Sequence, residues 1–167
     1  LKMLRGARYV VVPSGSCASM IHAFYPELFH DEPGSLAEAR ALAPRVFELS
    51  EFIVDVLGVT DIASYGESTG VPDLRKVTYH EACHLRRELG ITTQPRALIR
   101  ALPGVVLAEM EQSEVCCGFG GTFAVKYPEI SAAMLRHKLD NVREAAADTL
   151  VACDSTCIMQ IAGGLDK

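Results

Sequence analysis

Cys83-His84, Cys116-Cys117-Gly118 and Cys153-Asp154-Ser155-Thr156-Cys157 are the stretches of this chain that concentrate reactive sulfur. They hold five of its six cysteines, the sixth being Cys17, so the candidate metal ligands are Cys17, Cys83, Cys116, Cys117, Cys153 and Cys157. Thirty-two residues separate Cys83 from Cys116, and thirty-five separate Cys117 from Cys153. Thiolates clustered at turns are the ligands of a soft metal or an iron–sulfur cluster. The bland alternative is buried thiols acting as small hydrophobes. Neighbouring side chains in a helix or strand point in different directions. Cys116 and Cys117 therefore reach one centre only from an irregular turn, which Gly118 supplies. Zinc sites pair their four ligands more closely, commonly about two to four residues apart, and only Cys153 and Cys157 come that close. Five candidate thiolates suit an iron–sulfur cluster better, with structural zinc as the alternative.

The residues around the cysteines extend that chemistry. Gly118-Phe119-Gly120-Gly121-Thr122 has neither the G-x-G-x-x-G order nor the lysine of a phosphate-binding loop. The amides of Gly118, Gly120 and Gly121 are instead expected to approach a cluster and donate to its sulfur. Thr122 is placed to cap the next helix. His80 and His84 flank Cys83 as catalytic candidates, either ligands or proton donors, against the alternative of satisfied loop residues. Arg86, Arg87 and Arg96 could meet a carboxylate substrate or lie on a solvated face. Asp154 reads as a turn residue, a helix cap or an oxygen ligand.

Bulk properties narrow the class. The 167 residues are 49% hydrophobic and 22% charged, with a formal charge of −5, the profile of a globular protein. The 16 Lys and Arg are scattered among 21 acids, which leaves no basic footprint for nucleic acid. No apolar run is long enough to span a bilayer, and no secretory leader is visible. Reduced cysteines in the cytoplasm are therefore expected rather than a disulfide scaffold. A chain opening on Leu1 is expected to be a fragment.

Strands and helices alternate around the clusters. Tyr9-Val10-Val11-Val12, Lys76 to His80, Val105-Val106-Leu107 and Thr149 to Ala152 read as strands. Helices are expected after Cys17 with a disturbance at Pro26, from Ser35 toward Leu57 with a kink at Pro44, over Gln94 to Leu102, and over Glu129 to Ala147. Ser35 and Glu38 have the spacing of a capping box. Leu49, Phe52, Ile53 and Val56 on the second helix are expected to pack inward, as are Ile130, Met134, Leu135, Leu139 and Val142 on the last. The fold class is α/β with a mainly parallel sheet and flanking helices.

An internal repeat accounts for Cys17. Residues 7–17 align without gaps on 147–157 at an offset of 140, sharing an apolar strand, a small polar turn and a cysteine. Self-similarity of this kind points to duplication. Residues 1–65 are then the end of a first, incomplete unit with its following helix, 66–74 a linker, and 75–167 a second unit.

Val12-Pro13-Ser14-Gly15-Ser16-Cys17, Tyr79-His80-Glu81-Ala82-Cys83-His84-Leu85, Val115 to Phe123, Lys126 to Ser131 and Asp154 to Cys157 resemble the cysteine-rich CCG domain family, and within it the lactate-utilisation (Fe–S)-binding group. The resemblance covers nearly the whole chain. It implies an oxidoreductase subunit, independent of NAD, in a complex oxidising L-lactate to pyruvate with two partner proteins, at least one of them iron–sulfur. It also implies that part of the parent lies upstream of residue 1 and that this fragment alone is inactive. Cys83, Cys116, Cys117 and Cys157 match the family's cluster-binding positions, for a [4Fe–4S] cluster that is non-cubane in related proteins. The family's Cys-x-x-Cys carries Asp154 here, so Cys153 as a fifth ligand, Asp154 as an oxygen ligand and a four-ligand cluster all stay open. Proteins sharing the motif, the iron–sulfur subunit of glycolate oxidase or a heterodisulfide reductase-like protein, are the alternatives. The contrasting class is a structural zinc-binding interaction module.

Overall fold

Strand β3 (Arg75–His80) is the centre of the molecule, because its last four residues, Val77 to His80, are all buried. Burial on both faces is what a parallel strand between neighbours requires. In the computed structural model, which describes residues 1–61 and 75–166, β4 (Val105–Leu107) and β5 (Thr149–Ala152) flank it in the order β4-β3-β5, both parallel to it. A second, two-stranded parallel sheet pairs β1 (Val10–Val12) with β2 (Val46–Glu48), Val10 opposite Val46. The expected α/β class with parallel sheets and flanking helices is what the chain adopts. The expected linker, 66–74, lies outside the described residues.

Side-chain alternation along β3 sends Val77 and Tyr79 to one face and Thr78 and His80 to the other. Val77 and Tyr79 pack with Ile99 of α6 (Gln94–Arg100). A second core gathers Ala82, Leu85, Ile91, Cys117, Leu139, Cys157 and Ile161. It joins α5 (Cys83–Arg87), α8 (Pro128–Glu144) and α9 (Ser155–Leu165) around the cysteines. Leu139 on α8 is buried as expected, but Ile130 is 54% exposed. It sits in the first turn of α8, before the helix reaches the core.

The first part of the chain departs most from expectation. The helix after Cys17 forms as α1 (Gly15–Ser19), a π-turn over Met20–Phe24, and α2 (Tyr25–Leu28). The wider turn lies just before Pro26, which has no amide for a helical bond. Helix α3 spans Pro33–Leu42, with Pro33 at its first position, where a missing amide costs nothing. Its cap position is Glu32, and Ser35 Oγ donates to Glu32 Oε2 at 2.9 Å, replacing the expected Ser35–Glu38 box. The helix does not run on to Leu57. A 3₁₀ turn, Ala43–Arg45, takes Pro44, and Val46–Glu48 leave as β2. The capping box forms instead at α4 (Leu49–Glu51), between Glu48 and Glu51, followed by a second π-turn at Phe52–Val56. Leu49 is 41% exposed rather than inward, while Phe52 stacks edge-on against Tyr9 at 5.2 Å.

Candidate metal centre

Three loops at the carboxyl ends of parallel strands converge on one cavity, the place where α/β sheets gather ligands. Cys83 follows β3 as the first residue of α5, and Cys157 follows β5 in the first turn of α9. Cys116 and Cys117 lie on the loop between β4 and α7 (Thr122–Lys126). The cavity has a volume of about 290 Å³. Cys83, Cys116, Cys117 and Cys157 line it, with His84, Gly120, Gly121, Asp154, Ser16 and Thr156. All six cysteines are free thiols.

The four lining thiols form a connected chain. Cys116 accepts hydrogen bonds from Cys117 and Cys83, which hold it well below the ordinary thiol range despite its burial. Cys157 is lowered to about 6, first by a hydrogen bond from Cys117 and then, against burial, by His80. The donors shift the other way, Cys83 and Cys117 being raised by sharing their protons and by burial. The four thiols thus share protons along the chain, with Cys116 and Cys157 on the acidic side. Backbone amides add to this: Gly118 N–H donates to Cys116 Sγ at 3.4 Å, Phe119 N–H to Cys117 and His84 N–H to Cys83.

His80 completes the group from the end of β3. It is fully buried, neither ring nitrogen meets a protein nitrogen or oxygen, and its engagement is with the Cys157 thiol that it lowers. Its nearest ligand atom lies within 4.8 Å of those of Cys117 and Cys157. A buried imidazole engaged only by a thiol is costly unless something else satisfies it. Four sulfurs around one cavity, amide donors to them and a buried imidazole within 4.8 Å of two of the sulfurs fit a thiolate-bound metal group.

The remaining sequence candidates divide between the cavity wall and other parts of the chain. Cys17 is exposed, and Cys153 is not among the residues lining the cavity. The Cys153 thiol faces the Tyr79 hydroxyl and Ser50, and burial raises it to about 11. His84 lines the cavity while its Nδ1 meets Glu88 at 3.2 Å. Arg96 is locked into the protein, reaching Glu81 at 3.0 Å, Glu109 at 3.1 Å and Ser113 at 3.0 Å. Arg86 also pairs with Glu81. Thr122 does not cap α7; Gly121, at φ +57°, holds that position.

Asp154 is a saturated cap. It is 3% exposed and accepts from Thr156 N–H at 3.1 Å, Ser16 N–H at 2.9 Å, Ser14 Oγ at 3.2 Å, and the Thr156 hydroxyl. Burial alone would raise its carboxyl, yet these donors from Ser16 and Thr156 hold it below the usual range. Sequence reasoning overlooked Ser16, Thr156 and the buried Lys138. The signal for Lys138 was its place on the inward face of α8, between Leu135 and Leu139, where a charge breaks the apolar stripe.

With this geometry the chain belongs to the CCG family of cysteine-rich domains, whose family model, described as "Cysteine-rich domain", matches residues 77–162. Among curated proteins it is similar to Lactate utilization protein A of Bacillus cytotoxicus, 40% identical over 167 residues, all of this chain and 66% of that protein. The corresponding protein of Bacillus licheniformis is 41% identical over all of this chain and 67% of its own length. That of an Exiguobacterium species is 42% identical over 96% of this chain and 62% of its own length. The chain thus spans about two thirds of these relatives.

Proposed function

We propose that this chain is the cluster-holding part of an iron–sulfur subunit that transfers electrons in the NAD-independent oxidation of L-lactate to pyruvate. The chain of four sulfurs, Cys83, Cys116, Cys117 and Cys157, carries this reading. These four hold the cluster, and His80 closes the buried side. A thiolate-bound iron–sulfur cluster, when present, supplies one-electron transfer. The protein's own contribution is to lower Cys116 and Cys157, direct backbone amides at Cys83, Cys116 and Cys117, and set the buried His80 beside Cys157. Cys153 and Asp154 are assigned no ligand role, since one faces Tyr79 and the other has its oxygens occupied.

The names of the relatives support the lactate assignment and a system of several proteins. The free thiols support a reducing, cytoplasmic setting, and among the described residues no helix is long and apolar enough to cross a membrane. One observation favours a second reading, a single zinc ion on His80, Cys117 and Cys157, whose donors lie within 4.8 Å of one another. A single zinc with ligands at about 2.0–2.3 Å has no need of a 290 Å³ cavity, which favours the cluster.

The deciding experiment is anaerobic purification of the full chain with iron, sulfide and zinc measured per chain and an electron paramagnetic resonance spectrum recorded. Iron with matching sulfide, lost in Cys116→Ser and Cys117→Ser, is the expected result. Zinc alone, with no iron taken up on anaerobic reconstitution, would overturn the electron-transfer role. Lactate-dependent against glycolate-dependent dye reduction by the assembled complex then fixes the substrate.

A further inference from the structure

Lys138 is fully buried on α8. Its ammonium donates to the carbonyls of Gln112 and Ser113, each at 3.1 Å, and approaches Met110 Sδ at 3.6 Å. All three acceptors are neutral, and among the described residues no carboxylate forms an ion pair with it. Neutral acceptors satisfy the donors without pairing the charge, so a buried ammonium here depends on more distant negative groups. Burial accordingly lowers the ammonium to about 8, while the exposed Glu114 and the Cys117, Cys116 and Cys157 thiols favour its charged form.

We infer that Lys138 is the built-in counter-charge of the thiolate-bound group, a positioning residue that both clamps the 110–113 loop and biases the site toward its more negative redox state. This rests on the cluster reading above. The placement is what such a role requires. Lys138 sits beneath the loop that delivers Cys116 and Cys117, and water cannot screen it there. Two helical turns earlier on the same face, Ser131 Oγ donates to Gly118 O at 2.8 Å, so α8 grips that loop on both sides of the cysteine pair. A fixed positive charge near a redox centre stabilises the reduced, more negative state and raises the midpoint potential.

The test compares Lys138→Gln, which keeps donors and removes charge, with Lys138→Arg, which keeps charge. Both are made in the full chain, purified anaerobically, with iron and sulfide counted before a mediated redox titration. Lys138→Gln at unchanged iron content is expected to shift the reduced-to-oxidised ratio at fixed potential at least tenfold toward oxidised. That corresponds to about 59 mV for one electron. Lys138→Arg stays near the parent. Loss of iron in Lys138→Gln but not in Lys138→Arg also supports the charge, because the donors were kept. An unshifted potential in iron-replete Lys138→Gln, or loss of iron in both variants, overturns the inference. Absence of iron from the unaltered chain would instead overturn the cluster reading itself.

Discussion

At the scale of single residues, the site depends on a few positions that tolerate little change. Gly118 has φ +85°, and a Cβ there would lie 2.6 Å from the Ser131 carbonyl oxygen. Gly118→Ala therefore combines a left-handed backbone with a clash against a helix. It is expected to destabilise the chain by about 2 kcal/mol or more, read as a lowered melting temperature with reduced iron content. Asp154 gives a prediction in pH. Its folded carboxyl lies below the ordinary 3.8, so the unfolded chain binds its proton first as pH falls. Its contribution to stability is complete above about pH 3.8 and is lost as pH falls through the lower folded value. Urea midpoints of the parent and Asp154→Asn should therefore differ most near neutrality and converge in acid; a gap constant with pH would contradict this.

At the scale of elements, α8 is the scaffold of the centre and should show it energetically. Leu139 is 5% exposed and packs in the cysteine core, whereas Ile130 on the same helix is 54% exposed. Leu139→Ala should cost about 2–5 kcal/mol, while Ile130→Ala should stay within about 0.5 kcal/mol, both measured by urea denaturation. Sequence periodicity could not separate them, because it identifies a helical face but not where along the helix the core begins. The same limit hid β2. Val46, Phe47 and Glu48 are too few for a two-residue period to show, and the apolar stripe after them continues at helical spacing. Only Pro44 marked the break. The strands that lead to Cys83 and Cys157 were legible because each holds β-branched residues, Val77 and Thr78 or Thr149 and Val151, and is followed within a few residues by a cysteine. The Ser14 and Ser16 partners of Asp154 were not, since a contact across 138 residues leaves no local pattern.

At the scale of the whole molecule, the two stretches related by the sequence repeat meet face to face. Ser14 caps α1 with φ −162° and ψ 121°, and Asp154 caps α9 with φ −151° and ψ 117°. Gly15 N–H also donates to the Cys153 carbonyl at 2.8 Å, and a Cβ at Gly15 would come within 2.9 Å of Leu85 Cβ, so this seam is tight. Ser14→Asp would set two carboxylates about as close as the present 3.2 Å contact. It should cost about 1–4 kcal/mol by charge repulsion, recoverable in the double variant Ser14→Asp with Asp154→Ser. Failure of the second change to rescue the first would mean that the seam does not depend on this pair. The positions matched by the sequence repeat, Ser14 and Asp154, touch at 3.2 Å, and two anions at that distance repel, so a neutral hydroxyl opposite the acid is what keeps this contact favourable. The two matched turns are therefore not interchangeable, and each constrains what the other can become.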